Sequence, residues 1–173
     1  MKYLVLFGRI LFSLIFINTI FSHLSSPAVE YASAAGVPFA SIVVPISGII
    51  AFLGGLSIIL GYKAKIGAWL IVIFLIPVTL FMHNFWAIQD SAEAQMQMTQ
   101  FMKNISMLGG AFFITYFGSG PLSFDARLRV SQEIAKEPVS RIIPKLSRER
   151  DRKTERFELK RSKDKEKTDK QSE

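Results

Sequence analysis

Four apolar segments follow one another in the first two thirds of the chain, separated by shorter polar connections. A helix that spans a bilayer needs about 20 mostly apolar residues, or about 17 at the short end. The first three segments reach that length, and the fourth reaches it with Lys103 and Asn104 in its first turn. The pattern predicts an all-α fold, a bundle of four transmembrane helices at residues 3–21, 42–60, 66–82 and 101–117.

Charge is concentrated after the last apolar segment. Of 21 Lys and Arg residues, sixteen follow residue 120, together with most of the Asp and Glu residues. The sequence therefore divides into a membrane domain, residues 1–125, and a basic, mixed-charge tail, residues 126–173. The early tail carries scattered apolar residues and the later tail very few. We expect this tail to be partly disordered or a solvated single helix.

The basic residues also predict an orientation, because cytoplasmic loops carry an excess of Lys and Arg. With both termini in the cytoplasm, the outer connections, 22–41 and 83–104, contain a single basic residue, Lys103. Arg9 then lies within the first span. The opposite orientation would place nearly all the basic residues outside. We therefore predict a multi-pass protein with both termini in the cytoplasm.

Small residues in two of the spans predict where the helices approach closely. Helices in lipid associate through backbone contact at small residues, because lipid tails are as apolar as leucine. The second span offers such residues at four-residue spacing, and the fourth offers a glycine pair. The predicted helix-packing positions are Gly48, Ala51, Gly54, Gly55, Gly61, Gly109 and Gly110.

Arg9 places a charge inside the first span, one to two turns from its start. An ionisable residue at such a position is costly, so it raises a functional hypothesis by default. Two interpretations stay open. The side chain reaches back to the inner lipid phosphates, or it is buried and bonded to carbonyls at a helix end or to a ligand.

A polar and aromatic cluster lies at the outer ends of the third and fourth spans. Aromatic residues at a membrane boundary are common on their own, but here an imidazole, two carboxamides, an ammonium group and aromatic rings converge at one depth. That combination suits a planar ligand with a polar head, such as a quinone. The candidate ligand-binding residues are His83, Asn84, Phe85, Trp86, Lys103 and Asn104.

Cofactor chemistry is limited by the absence of cysteine, which excludes thiolate-bound iron–sulfur clusters and c-type haem attachment. The two histidines, His23 and His83, fall at the outer ends of their helices. They could ligate a b-type haem or be ordinary interfacial residues, and we predict no other metal site. No nucleophile–base set is recognisable, so whether the chain is an enzyme stays open and its catalytic residues stay unknown.

The string His83-Asn84-Phe85-Trp86 precedes Lys103-Asn104 by about 20 residues. At these positions the chain resembles the DoxX family of small bacterial four-helix membrane proteins, over about residues 5–125. Two positions depart from that family, which often has Glu at the place of Ala51 and Arg at the place of Lys65. The other matching residues are Gly8-Arg9, Gly36-Val37-Pro38, Gly54-Gly55, Gly61, Gly109-Gly110, Gly118, Gly120-Pro121, Ser123 and Asp125.

The resemblance implies a redox-linked membrane subunit, since one relative is the membrane component of a thiosulfate:quinone oxidoreductase. It also implies a bacterial inner-membrane location, a quinone ligand, and other redox subunits or a second copy of the chain as partners. If the chain is an enzyme, it is then a subunit of an oxidoreductase complex and not self-sufficient.

The alternative is a non-catalytic membrane scaffold. Its basic tail would dock on a cytoplasmic protein or on anionic lipid, which attracts Lys and Arg near a membrane surface. The tail does not interleave aromatic residues with its charges, and its acidic residues offset much of the positive field. These features argue against nucleic acid as the partner.

Overall fold

The computed structural model describes residues 2–136 and 139–169, and the predicted all-α class is confirmed there. The chain divides into two compact units, Met1–Leu128 and Arg129–Glu173. A short 3-10 helix, Phe85–Ala87, lies between α4 and α5. The α-helices among the described residues are α1 Lys2–His23, α2 Ser26–Ala34, α3 Ala40–Leu60, α4 Ala64–Met82, α5 Ser91–Phe117, α6 Phe124–Lys136 and α7 Val139–Asp169.

The first unit is a helical bundle with a main core and a smaller apolar cluster between α2 and α3. Helix α1 packs against α3, α3 against α4, and α4 against α5, while the short α2 packs against α3. All four long helices contribute to the core, which combines large apolar side chains with alanines that let the backbones approach. Its most buried members are Phe16, Ala51, Ile58, Ala68, Ile71, Leu75 and Ala111.

Three helices in the described part of the chain are long and apolar enough to cross a bilayer, namely Lys2–His23, Ala40–Leu60 and Ala64–Ala87. Their outward faces carry large apolar side chains such as Leu4 and Leu11, which are 74% and 69% exposed. A water-soluble protein rarely exposes apolar side chains over so large a contiguous area. These faces therefore meet lipid, and a bilayer environment follows.

Two helical segments were not expected from the apolar pattern. Helix α2 lies within the predicted outer connection 22–41, and α5 begins at Ser91, ten residues before the predicted fourth span. The start of α5 is capped by Asp90, whose carboxylate accepts a hydrogen bond from the Glu93 amide at 2.8 Å. Both segments are short or polar, so apolar periodicity does not reveal them.

The predicted packing positions in α3 mostly meet neighbouring helices closely. A Cβ on Gly54 would lie 2.9 Å from the carbonyl oxygen of Gly67 in α4, and a Cβ on Gly55 would lie 3.2 Å from the Ser13 oxygen in α1. Ala51 is fully buried. In α5, a Cβ on Gly110 would lie 2.9 Å from the Phe12 ring, whereas one on Gly109 would meet nothing within 4 Å.

The second unit consists of the end of α6 and the helix α7. Within α7, Lys153 and Glu149 form an exposed salt bridge of 3.1 Å at i,i+4 spacing, which stabilises a helix by about 0.3–0.5 kcal/mol. The part of the tail predicted to be disordered or helical is thus helical as far as Asp169. Residues 137–138 and 170–173 of the predicted tail lie outside the described residues.

Gly54 supplies the first test. We expect Gly54→Ala to lower the free energy of unfolding by about 1–3 kcal/mol, the usual cost of overpacking, because the new Cβ would press on backbone that cannot rotate away. Gly109→Ala is the matched control and should be neutral or stabilising by up to about 1 kcal/mol, since alanine is the better helix former. Unfolding by SDS in mixed micelles measures both, and equal effects would contradict the close α3–α4 contact.

Candidate binding cavity and its polar networks

Arg9 lies buried at one end of the bundle, with only 4% of its surface exposed. Its Nη1 donates a hydrogen bond to the Ser119 carbonyl at 2.5 Å, and its Nη2 donates to the Leu122 carbonyl at 2.6 Å. Both acceptors belong to the turn between α5 and α6. A guanidinium with fixed, planar donors is suited to holding two carbonyls at once. Arg9 therefore ties α1 to the chain that leaves α5.

Asp125 extends this network to the start of α4. Its carboxylate accepts hydrogen bonds from the amides of Lys63 and Ala64, at 2.7 and 3.1 Å, and from the Ser119 hydroxyl at 3.1 Å. The first amides of a helix have no partner within the helix, so a carboxylate there acts as an N-cap. Asp125 caps α4 from a distance of about 60 residues along the chain.

Gly61 completes the network, which we call the Arg9 latch (Arg9, Gly61, Ser119, Ser123 and Asp125); the Ser123 hydroxyl belongs to it through the Ser119 hydroxyl, 3.0 Å away. Gly61 ends α3 with a φ of +65°, a conformation that glycine adopts without strain. Its carbonyl accepts a hydrogen bond from the Asp125 amide at 2.8 Å. A Cβ there would lie 2.5 Å from Arg9 Nη1. The latch therefore joins α1 to the end of α3, the start of α4, the turn after α5 and the start of α6.

A second polar network lies at the opposite ends of the same helices. His83 Nδ1 lies 2.7 Å from Gln97 Oε1, and Gln97 Nε2 donates to the Tyr31 hydroxyl at 3.1 Å. Gln97 is 8% exposed, so the chain of bonds links α2, α5 and the segment after α4 through one buried amide. We call Tyr31, Gln97 and His83 the Gln97 bridge.

Beside the Gln97 bridge lies a cavity of about 390 Å³. Its size lies in the range of small-molecule sites, which are mostly apolar with a few polar groups. His23 forms part of the wall, where a Cβ on Gly48 would lie 2.5 Å from the His23 Cβ. The lining residues are His23, Ala28, Tyr31, Ala32, Val37, Pro38, Val43, Val44, Ser47, Pro77, Val78, Phe81, Met82 and His83.

The structure distributes the predicted ligand-binding residues over several environments. His83 lines the cavity, and so does His23, the other histidine. Phe85 and Trp86 pack edge-on against Phe101, with ring centroids 5.5 and 5.9 Å apart.

The other three candidates have separate surroundings. The Asn84 carbonyl accepts a hydrogen bond from the Ala87 amide at 2.9 Å, within the 3-10 turn. Lys103 is exposed and donates to the Gln100 side chain. Asn104 is 4% exposed. The cavity, and not the aromatic cluster, is therefore the concave part of this end of the bundle.

Sequence reasoning missed Tyr31 and Gln97, and it noted Ser123 and Asp125 only as parts of a motif. A signal for α2 exists, because Ser25, Ser26 and Pro27 follow the N-cap and first-turn preferences of a helix. Gln97 lies in a polar stretch that resembles a loop. Its role depends on contacts with residues 14 and 66 positions away, which a local pattern does not contain.

A comparison with models of protein families identifies the family of the chain. The model of the SURF4 family matches residues 1–130. The chain belongs to the SURF4 family. This is a family of integral membrane proteins, in agreement with the apolar helices. No curated protein and no solved structure is similar enough to this chain to be matched to it.

The SURF4 assignment corrects the predicted family. The resemblance to DoxX is wrong, and the quinone-linked redox function taken from it is wrong as well. The bacterial inner-membrane location rested on the same resemblance and loses that support. The physical reason is that glycines at helix contacts and aromatic residues at helix ends serve membrane bundles of many families. Such residues indicate a membrane fold and do not identify a reaction.

The Arg9 latch supplies the second test. We expect Asp125→Ala to lower the free energy of unfolding by about 2–3 kcal/mol, since it removes the cap of α4 and the acceptor of the Ser119 hydroxyl. Asp90→Ala is the matched control because Asp90 caps α5 at an exposed site, and it should cost about 1 kcal/mol. Unfolding in mixed micelles compares them. A loss at Asp125 no larger than that at Asp90 would contradict the latch.

Proposed function

We propose that the chain is a four-span membrane protein that binds the hydrocarbon part of a membrane lipid in its apolar cavity. The observation that carries this proposal is the cavity itself. It is formed by helices that bear the membrane-facing surfaces, and its lining includes Val43 and Phe81, which are 44% and 54% exposed. Side chains that both line a cavity and face lipid give a hydrocarbon chain a route from the bilayer.

Most of the polar groups around the cavity are already bonded within the protein. His23 Nδ1 lies 3.1 Å from the Thr19 carbonyl oxygen, and the Ser47 hydroxyl donates to the Val44 carbonyl at 2.7 Å. Tyr31 and His83 are both bonded to Gln97. The wall that remains is mainly carbon, and burial of apolar surface contributes roughly 25 cal/mol per Å². A hydrocarbon chain is the ligand that this wall favours.

The two polar networks support α5 as the fourth span. The Arg9 latch bonds the chain after α5 to the beginning of α1, whereas Gln97, near the beginning of α5, is bonded to His83 after the end of α4. Helix α5 therefore extends between the same two ends of the bundle as α1 and α4. Its polar first third would lie beyond the hydrocarbon, which needs only about 20 residues.

The distribution of charge supports cytoplasmic termini and a lipid partner for the tail. Lys63 and Lys65 lie at the latch end of α4, and Lys2 lies at the start of α1. Basic residues collect on the cytoplasmic side, so the latch end is the inner end in this proposal. The tail then begins at the inner surface, where each Lys or Arg gains about 1 kcal/mol from anionic lipid.

The topology can be tested with introduced cysteines, because the chain contains none. Ser91→Cys, at the start of α5, and Ser131→Cys, in α6, should react with a membrane-impermeant maleimide from opposite sides of sealed vesicles. Ser106→Cys, within α5, is the control and should react from neither side, since a thiol in hydrocarbon is neither ionised nor reached by the reagent. Labelling of Ser91→Cys and Ser131→Cys from the same side would refute a fourth span.

The binding function can be tested by filling the cavity. Ala28 lines it from α2 and is half-buried, so Ala28→Trp should reduce the lipid retained after detergent exchange at least tenfold, as counted by native mass spectrometry. Ala87→Trp places the same side chain at an exposed position outside the cavity and should retain lipid as the parent does. Equal retention by the two variants would rule the cavity out as the binding site.

A further inference from the structure

The cavity wall also carries information about the polar head of its ligand. We infer that the occupant is a neutral lipid with a free hydroxyl group, which Tyr31 and His83 recognise together. This inference rests on the proposed binding function and adds the ligand class to it. Two properties of the wall support it, namely its charge and the direction of its hydrogen bonds.

The first property is the absence of formal charge among the described residues that line the cavity, none of which is Asp, Glu, Lys or Arg. A phosphate or carboxylate buried without a cation loses its hydration and gains no partner. Arg9, the buried cation among the described residues of the bundle, belongs to the latch at the opposite end and is bonded to two carbonyls. The cavity therefore favours a neutral head group over a phospholipid head group.

The second property follows from the Gln97 bridge. Because Gln97 Nε2 donates to Tyr31, its Oε1 is the acceptor and must receive the proton on His83 Nδ1. In an uncharged histidine the other nitrogen, Nε2, is then an acceptor. The Tyr31 oxygen accepts from Gln97, so its own proton is still available to donate. This tautomer is assigned from the hydrogen-bond network.

One buried amide is thus bonded to one residue that can still donate and to another that can still accept. The Tyr31 hydroxyl can donate and His83 Nε2 can accept, and both side chains line the cavity. A ligand hydroxyl is the smallest neutral group that accepts from one and donates to the other at the same time. An ester could use only Tyr31. Sites that bond a ligand hydroxyl discriminate against analogues without it, because their own polar groups would stay unpaired.

The experiment uses the full-length protein in phosphatidylcholine vesicles with a diacylglycerol that carries a diazirine in one acyl chain. We expect saturable photolabelling of α2 and the end of α4, mapped by peptide mass spectrometry. Unlabelled diacylglycerol should compete at least tenfold better than its acetyl ester, in which the hydroxyl is capped, or than a phosphatidylcholine with the same acyl chains.

Two variants separate recognition of the head group from occupancy of the cavity. Tyr31→Phe keeps the ring but removes the donor, and it should weaken diacylglycerol labelling about threefold to tenfold. Tyr116→Phe is the control, at an exposed tyrosine near the end of α5, and should have no effect. Ala28→Trp should abolish labelling by any lipid.

The outcomes distinguish the two levels of the proposal. Saturable labelling without preference for the free hydroxyl, or unchanged labelling in Tyr31→Phe, would overturn the inferred ligand class while lipid binding in the cavity stands. Unsaturable labelling, spread over all lipid-facing helices and equal in Ala28→Trp, would overturn the binding function as well. A preference for the hydroxyl that Tyr31→Phe removes would support both.

Discussion

The arrangement of the helix ends depends on the hydrogen bonds made by one buried cation, Arg9. A guanidinium inside an apolar helix costs several kcal/mol unless its donors are bonded, and Arg9 finds its acceptors in the turn that follows α5. That turn must therefore return to the beginning of α1. Asp125, a few residues on, then caps α4. Nη1 and Nη2 are bonded in this way, while the buried Nε has no partner among the described residues, so the cost of burying Arg9 is offset in part by bonds that also join helix ends.

The two ends of the bundle are held together by different kinds of contact. Gly54 and Gly61 allow contacts with α4 and α1 near the latch, whereas at the far end α2 packs against α3. Gln97 joins the elements there through its side chain and not through backbone contact. Small residues permit close approach, and a bridging amide holds its partners farther apart. The cavity lies where this second kind of contact operates.

The sequence predicts the apolar helices well, and the reason is physical. The hydrocarbon thickness requires long apolar runs, so α1, α3 and α4 begin and end within two residues of the predicted spans. Helix α2 and the start of α5 are not under that constraint. The cavity was not predictable either, since Tyr31, Gln97 and His83 are distant in sequence. His83 alone among them was a candidate, and its predicted partners, Lys103 and Asn104, lie in other surroundings.

The predicted site and the observed cavity share His83 but few other residues. His83, Asn84 and Trp86 suggest a ligand site as a string, because donors and aromatic rings occur together. In the fold, the Asn84 carbonyl is bonded within a 3-10 turn and Trp86 packs on Phe101, and neither residue lines the cavity. A residue outside the cavity wall does not contact a ligand held there, whatever its chemistry. Tyr31 and His83 do line the cavity, and in our proposal the Tyr31 proton and His83 Nε2 recognise the ligand hydroxyl.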